Sequence, residues 1–401
     1  MVVVARIGSG AVVVGVVMLT GGCLTGLGLP PPAGGGGEPG GGPLPSPPGG
    51  GTGATHGGAG PGSDGAAAAG GTADGGPLSD ASPSGVNQER WATQQGVFLD
   101  GAKWLAGDFD GDGRADLAEI SADNGSATIG VYRSVNTTFV AQRWATQQNG
   151  FWGGQKWVAG DFDGDGKVDL ANVFSDAGQA SIDVHLSTGS SFSVARWATR
   201  QNGFWDSQKW VAGDFNGDGR ADLANIFDDR DQISIDVHLS TGSGFVVQRW
   251  ATQQAGFWDA ENWLAGRFQA NDPGDDLINV FNDWGAISID LHSSNGFAFT
   301  YKRLITKQGE FSAGQKWLTG DFDNDGWADL ADVFGDAGLA SADVRLSALV
   351  YEQHWFTRQG GFWDGQLWFA GDFDGDGFSD FANVFGDNGL VSIDVHRRTN
   401  P

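Results

Sequence analysis

The chain has 401 residues, with 23 basic against 49 acidic side chains and a formal net charge of −26. That balance excludes nucleic acid and anionic lipid as natural counterparts, because phosphate is bound by clustered Lys and Arg, and it points instead to cations. Seventeen tryptophans, most of them recurring at fixed places, indicate a repeated design.

In chain order, residues 1–22 have the form of an export signal. Arg6 gives a positive start, "AVVVGVVMLT" is an apolar run too short to span a bilayer comfortably, and small residues follow. Cys23, the single cysteine, comes directly after "LTGG" and resembles the lipid-attachment site of bacterial lipoproteins. It departs from that pattern at Thr20, where Leu is usual, with Leu19 one step further out. Lipidation would anchor the protein in a membrane; ordinary signal cleavage and secretion, or an incidental cysteine, are the alternatives. Residues 23–88 are Gly, Pro, Ala, Ser and Thr with almost no large apolar side chain, so they read as a disordered tether. A Gly-rich coil of that length spans about 40 to 50 Å.

From residue 89 to 401 the sequence repeats. The tryptophan of "RWATQQ" falls at Trp91, Trp144, Trp197, Trp250 and Trp355, with Leu304 in the remaining copy. The tryptophan before an acidic loop falls at Trp104, Trp157, Trp210, Trp263, Trp317 and Trp368, so the period is about 53 residues. Within one copy, "KWVAGDF", "VDLANVF", "ASIDVHLS" and "SFSVARWAT" are rich in β-formers and separated by Gly, Asp and Ser, which predicts four strands. Ile182, Val184 and Leu186 alternate with Ser181, Asp183 and His185, the period of a half-buried strand. Repeated four-stranded units predict an all-β fold, a six-bladed β-propeller. The region opens with a fourth strand, "QERWATQQ", and ends with a third, "VSIDVH", so the segment around Trp91 is expected to complete the last blade by hydrogen bonds.

The loop after each first strand carries carboxylates at positions 1, 3, 5 and 9. With the backbone carbonyl of position 7, they can converge on one hard cation in the all-oxygen shell that calcium favours. The sets are Asp108, Asp110, Asp112, Arg114 and Asp116; Asp161, Asp163, Asp165, Lys167 and Asp169; and Asp214, Asn216, Asp218, Arg220 and Asp222. Two more follow: Asp321, Asp323, Asp325, Trp327 and Asp329; and Asp372, Asp374, Asp376, Phe378 and Asp380. About five calcium ions are therefore expected, in a structural role; the alternative is that these aspartates are solvated turn residues. An EF-hand is excluded, because position 12 is Glu119 once and otherwise Asn172, Asn225, Asp332 and Asn383, between strands rather than helices. The pattern D-x-D-x-D-G-x-x-D between strands resembles the FG-GAP or VCBS repeats of integrin-like propellers, and the resemblance covers residues 89–401. The fourth copy, "GRFQANDPGDDLINV", has Arg267 at position 1 and one extra residue. It is expected to bind no calcium, either because Arg267 replaces the ion or because the site has decayed.

The loops entering each blade, "TQQNGFWGGQ" and its relatives, lie on the face opposite the acidic loops. They carry Trp152, Trp205, Trp258 and Trp363, with Phe98 and Phe311 nearby in the other two copies. Repeated aromatic and amide side chains on one face suit stacking on sugar rings and bonding to hydroxyls, so these tryptophans are candidate ligand-binding residues. Packing between blades is the competing reading. The resemblance extends to integrin heads and to carbohydrate-binding lectins. It implies a monomeric, non-catalytic binding module for a glycan, with a surface-protein ligand as the alternative and a hydrolase accessory domain behind both. The histidines at 185, 238, 292 and 396 recur with the third strand, and no unique acid, base and nucleophile set appears.

Overall fold

The computed structural model describes residues 2–7, 11–16, 85–257, 261–270, 272–312, 314–346 and 351–398. Cys23, nearly all of the expected tether and Trp258 lie outside the described residues. The repeat region forms six sheets of antiparallel strands set in a ring, the expected six-bladed propeller. Blade one comprises Lys103–Gly107, Asp116–Asp123, Ser126–Val135 and Thr138–Gly150. Blade two comprises Lys156–Gly160, Asp169–Asp176, Gln179–Ser187 and Phe192–Gly203. The next three begin at Lys209–Gly213, Asn262–Gly266 and Lys316–Gly320.

Blade six contains Leu367–Gly371, Asp380–Asp387 and Leu390–Arg398, and its outer strand is Val86–Ala92 from the start of the region. Ile393 pairs with Ala92 and Arg398 with Val86, so backbone hydrogen bonds close the ring as the two incomplete ends of the sequence require. Trp91 and Ala92 are buried by this closure. Two further strands, Val2–Ile7 and Ala11–Val16, pair with each other, and the second adds to the inner strand Leu367–Gly371.

Short inner strands such as "KWVAG" have four or five of five residues buried, because each lies between neighbouring blades around the axis. In the second strands, Leu170, Ala171, Asn172 and Val173 are all buried, so both sheet faces are covered. The outer strands run longer than the sequence suggests: Phe192–Gly203 absorbs "TRQNG", which reads as the beginning of a loop. Bulges around Ile182 and left-handed residues at Arg200 and Asn202 let this polar, half-exposed strand stay paired without a regular alternation.

Register places one row of side chains across every blade. In blade two, Trp157 pairs with Asn172, Asn172 with Asp183, and Asp183 with Arg196. The same row runs Trp210, Asn225, Asp236 and Arg249 in blade three. It runs Trp368, Asn383, Asp394 and Arg90 in blade six.

Candidate metal centres and aromatic rim

Each acidic loop is pinned by a buried phenylalanine at position 2. Phe109, Phe162, Phe215, Phe322 and Phe373 are all 0% exposed, each contributing about 1.5–3 kcal/mol of burial that holds the loop against the core. Gly164 and Gly166, with φ of 80° and 88°, supply the left-handed turns that wrap the chain around Asp161. One oxygen of Asp161 accepts from the N–H groups of Gly164 (2.7 Å) and Asp165 (3.1 Å), and the other from Gly166 (2.9 Å). Asp169 is held at both oxygens, by the N–H of Phe162 at 3.1 Å and of Ser187 at 2.7 Å. Blades one and six repeat the geometry about Asp108 and Asp372.

The loops also join the blades. The position-8 N–H of each loop donates to the position-1 carbonyl of the preceding blade: Val168 to Asp108 (2.8 Å), Ala221 to Asp161 (2.7 Å), Asp275 to Asp214 (2.7 Å) and Ala328 to Arg267 (2.9 Å). Ser379 to Asp321 (2.7 Å) and Ala115 to Asp372 (2.7 Å) complete the circle across the closure. Loop conformation and blade packing are therefore coupled.

Carboxylate oxygens converge within 4.8 Å in Asp108, Asp110 and Asp116; Asp161, Asp163 and Asp169; Asp321, Asp323 and Asp325; and Asp372, Asp374 and Asp380. Their burial disfavours charge: it pushes Asp169 and Asp222 up to about 8 and Asp108, Asp321 and Asp372 to about 6, with neighbouring carboxylates adding to the shift. Asp116 and Asp380 are likewise raised well above the usual carboxylate range, by the same desolvation. An oxygen of Asp222 and one of Asp380 are buried without a hydrogen-bond partner. All-oxygen donors, crowded and desolvated, fit a hard cation.

Position 5 stands apart from these groups in three copies. Asp112, Asp165 and Asp218 each pair with the basic side chain at position 7, Arg114, Lys167 and Arg220, all at 2.5 Å. Asp376 accepts the N–H of Phe378 at 3.0 Å, and Asn216 donates to Asp218 at 3.1 Å. Asp329 holds the N–H of Phe322 at 2.9 Å, as Asp169 does in blade two. In blade four the loop closes on itself. Arg267 donates to the carbonyl of Asp272 at 3.0 Å and lies 5.0 Å from the ring of Trp327, while Gln269 and Ser293 hold the Asp272 carboxylate.

At the opposite rim, Trp152, Trp205 and Trp363 are 44%, 40% and 45% exposed. Each stands edge-on to a phenylalanine of its own blade: Phe174, Phe227 and Phe385, at 5.7, 5.7 and 5.4 Å between ring centres. A glutamine clamps each loop. Gln155 accepts the N–H of Trp152 at 3.0 Å and donates to the carbonyl of Gly150 at 2.8 Å, and Gln208 and Gln366 repeat this. A β-carbon on Gly150, Gly203 or Gly361 would come within 2.7 Å of the indole, so these positions admit the ring only as glycine. The rings pack on the blade they enter and stay half-exposed.

Missing from the sequence reading are Arg90, Arg196 and Arg249, which pair bidentately with Asp394, Asp183 and Asp236 and lie 4.9 Å over the same three phenylalanines. Their recurrence beside the "RW" tryptophan, in step with the Asp of "SIDVH", was the available signal.

The family model of the FG-GAP-like repeat matches residues 99–172, from the loop entering blade one to the second strand of blade two. The chain carries an FG-GAP-like repeat. Six copies of that strand and loop plan make the ring, five of them with the acidic pattern. No curated protein matches the chain. Among solved structures, the Tc holotoxin pore of Photorhabdus luminescens is similar over 79% of this chain, at 15% identity and a TM-score of 0.50, and the match spans 15% of the toxin chain. The WD40 domain of Toxoplasma gondii coronin matches at 14% identity and a TM-score of 0.34, covering 79% of this chain and 77% of that one. An exotype rhamnogalacturonan lyase matches at 12% identity and a TM-score of 0.38, over 79% and 76%. The likeness to the toxin is one of fold.

Proposed function

We propose that the protein is an exported, non-catalytic binding module in which calcium holds one rim and the other rim attaches to glycans. The observation that carries the glycan reading is the half-exposed indole set identically in three blades, with a clamping glutamine and a phenylalanine behind it. A flat apolar face at a fixed angle is what a sugar ring stacks on, and repeats of it on one rim turn weak contacts into avidity toward a repetitive target.

Calcium is the ion that the oxygen donors of the acidic loops suit best, and FG-GAP repeats commonly bind it. When bound it supplies the positive charge that lets the buried aspartates ionise. Asp108, Asp110 and Asp116, their counterparts in blades two and six, and Asp321, Asp323 and Asp325 in blade five would hold it, with Asp214, Asn216 and Asp222 at the matching positions of blade three; the N–H groups at positions 4 and 6 already orient the position-1 carboxylate. Export, and anchoring through Cys23, would place the binding rim outside the cell.

The reading as a protein-adhesion scaffold is favoured by one observation. Trp284, at the turn between the second and third strands of blade four, is 94% exposed on the same rim as the loop tryptophans.

A glycan array read with calcium and again with chelator tests the proposal. Binding to a defined set of glycans that disappears when Trp152, Trp205 and Trp363 are replaced by Ala is the expected result. An array silent under both conditions overturns it.

A further inference from the structure

The blades differ in what lies behind the tryptophan. In blade two a cavity of about 180 Å³ opens between Trp152, Gln155, Phe174, Asn172 and the Arg196–Asp183 pair, room for one small ring rather than an extended ligand. Asn172, 1% exposed, lines it, and its side-chain oxygen has no hydrogen-bond partner. The register of blades three and six puts Asn225 and Asn383 in the same place, 0% and 3% exposed, and their side-chain oxygens are unpartnered too. A buried amide oxygen left without a donor costs stability, so its recurrence asks for a reason.

Blades one and five answer the question by contrast. Both lack the tryptophan, having Leu99 and Ser312 instead, and both close the floor from within. Glu119 takes the hydroxyl of Tyr132 at 3.4 Å. Asp332 takes Arg345 at 3.1 Å and Gln315 at 3.1 Å. An open floor accompanies the aromatic platform and a closed floor its absence, although all of these positions share one place in the repeat.

We propose that blades two, three and six each bind one uncharged saccharide residue, whose ring lies against the tryptophan and whose hydroxyl donates to the floor asparagine, while blades one and five are closed to it. This rests on the glycan reading above. The unpaired atom common to the three floor asparagines is an acceptor, which a hydroxyl satisfies and a carboxylate does not. The charge of Arg196 is balanced by Asp183, which its Nε and Nη2 engage, and its face covers Phe174. A chain with a net charge of −26 also repels anionic glycans at long range.

The test is titration of the ¹⁵N-labelled full chain in calcium, following tryptophan indole signals. The probes are methyl glycosides of glucose, galactose and mannose, compared with glucuronic acid and N-acetylneuraminic acid. Saturable shifts at Trp152, Trp205 and Trp363 with at least one neutral glycoside, and at least tenfold weaker response to the acids, are expected. Asn172→Leu, Asn225→Leu and Asn383→Leu should each weaken binding at least tenfold in their own blade. Because leucine of similar shape removes an unpaired polar atom, the melting temperature should hold or rise, which a merely structural asparagine would not allow. If a leucine variant fails to fold, Asn172→Ser, which empties the floor, gives the same reading of affinity. Unchanged glycoside affinity in the asparagine variants would overturn the floor inference while the glycan reading stands. Tighter binding of the acids would overturn the neutral class. No response to any probe, together with a silent array, would remove both.

Discussion

The two rims of the ring repeat with the same period but use it differently. On the acidic rim every loop is bonded to its neighbour, from Val168 on Asp108 round to Ala115 on Asp372, so a change in one loop is felt by the next blade. On the aromatic rim each indole packs on a phenylalanine of the blade its loop enters, Trp152 on Phe174 and Trp205 on Phe227, while the loop backbone is held by the preceding blade, Phe151 N–H on the carbonyl of Gly125 and Phe204 N–H on that of Gly178. Acidic loops bonded one to the next suit a structural role, and half-exposed indoles a binding role. Blade four separates the two: its acidic loop is closed by Arg267, Gln269 and Ser293, yet its floor keeps Asn279 and the pair of Arg303 with Asp290.

The largest effect should come from breaking the closure. Removing residues 1–84 takes Val2–Ile7 and Ala11–Val16 off the inner strand of blade six but keeps the closing strand, which begins at Val86, and is expected to leave a cooperatively melting domain. Removing residues 1–95 takes away Val86–Ala92, uncovers the edge of Leu390–Arg398 and exposes the core around Trp91, so that chain should aggregate or lose its cooperative transition. Comparable melting of the two truncations in calorimetry would contradict six-blade closure.

Chelation comes next. Each site saturated to about 100 times its dissociation constant adds about 2.7 kcal/mol, so loss of several sites should lower the melting temperature by on the order of 10 °C or more. Indifference to chelator would show that the loops stand without an ion.

A smaller and more specific effect is on pH dependence. In the ion-free protein, Asp169 and Asp222 keep their protons up to about 8, whereas unfolded aspartates lose theirs near 4. The folded state therefore binds more protons across that window, and stability should fall as pH rises from about 4 to about 8. Saturating calcium should flatten the fall, because the ion displaces the protons. Identical pH profiles with calcium and with chelator would refute the assignment. Asp163→Ala should do least, removing about one ion from the stoichiometry found by calorimetric titration and leaving the other sites.

Much of the ring was legible in the sequence because period, strand composition and incomplete ends are local or arithmetical. The acidic loops were legible for the same reason: positions 1, 3, 5 and 9 recur within one turn of chain. What sequence did not disclose depends on register. "TRQNG" reads as loop because a polar outer strand with bulges at Ile182 has no alternation to reveal it. Asn172 served only as an argument against an EF-hand, yet pairing places it between Trp157 and Asp183 beneath the rim. The partnership of position 5 with position 7 needed side-chain geometry, since Asp165 could turn toward an ion or toward Lys167 with the same spacing.

The division of labour between the rims is the central claim, and one paired measurement tests it most directly. The Trp152→Ala, Trp205→Ala and Trp363→Ala triple variant is compared with the unaltered chain for binding to an immobilised neutral polysaccharide selected by the array, and for calcium stoichiometry in the same preparation. The account predicts at least a hundredfold weaker attachment to the polymer, a smaller loss toward its monomeric unit, and an unchanged number of bound ions. Attachment that survives the three substitutions, or calcium sites that disappear with them, would contradict it.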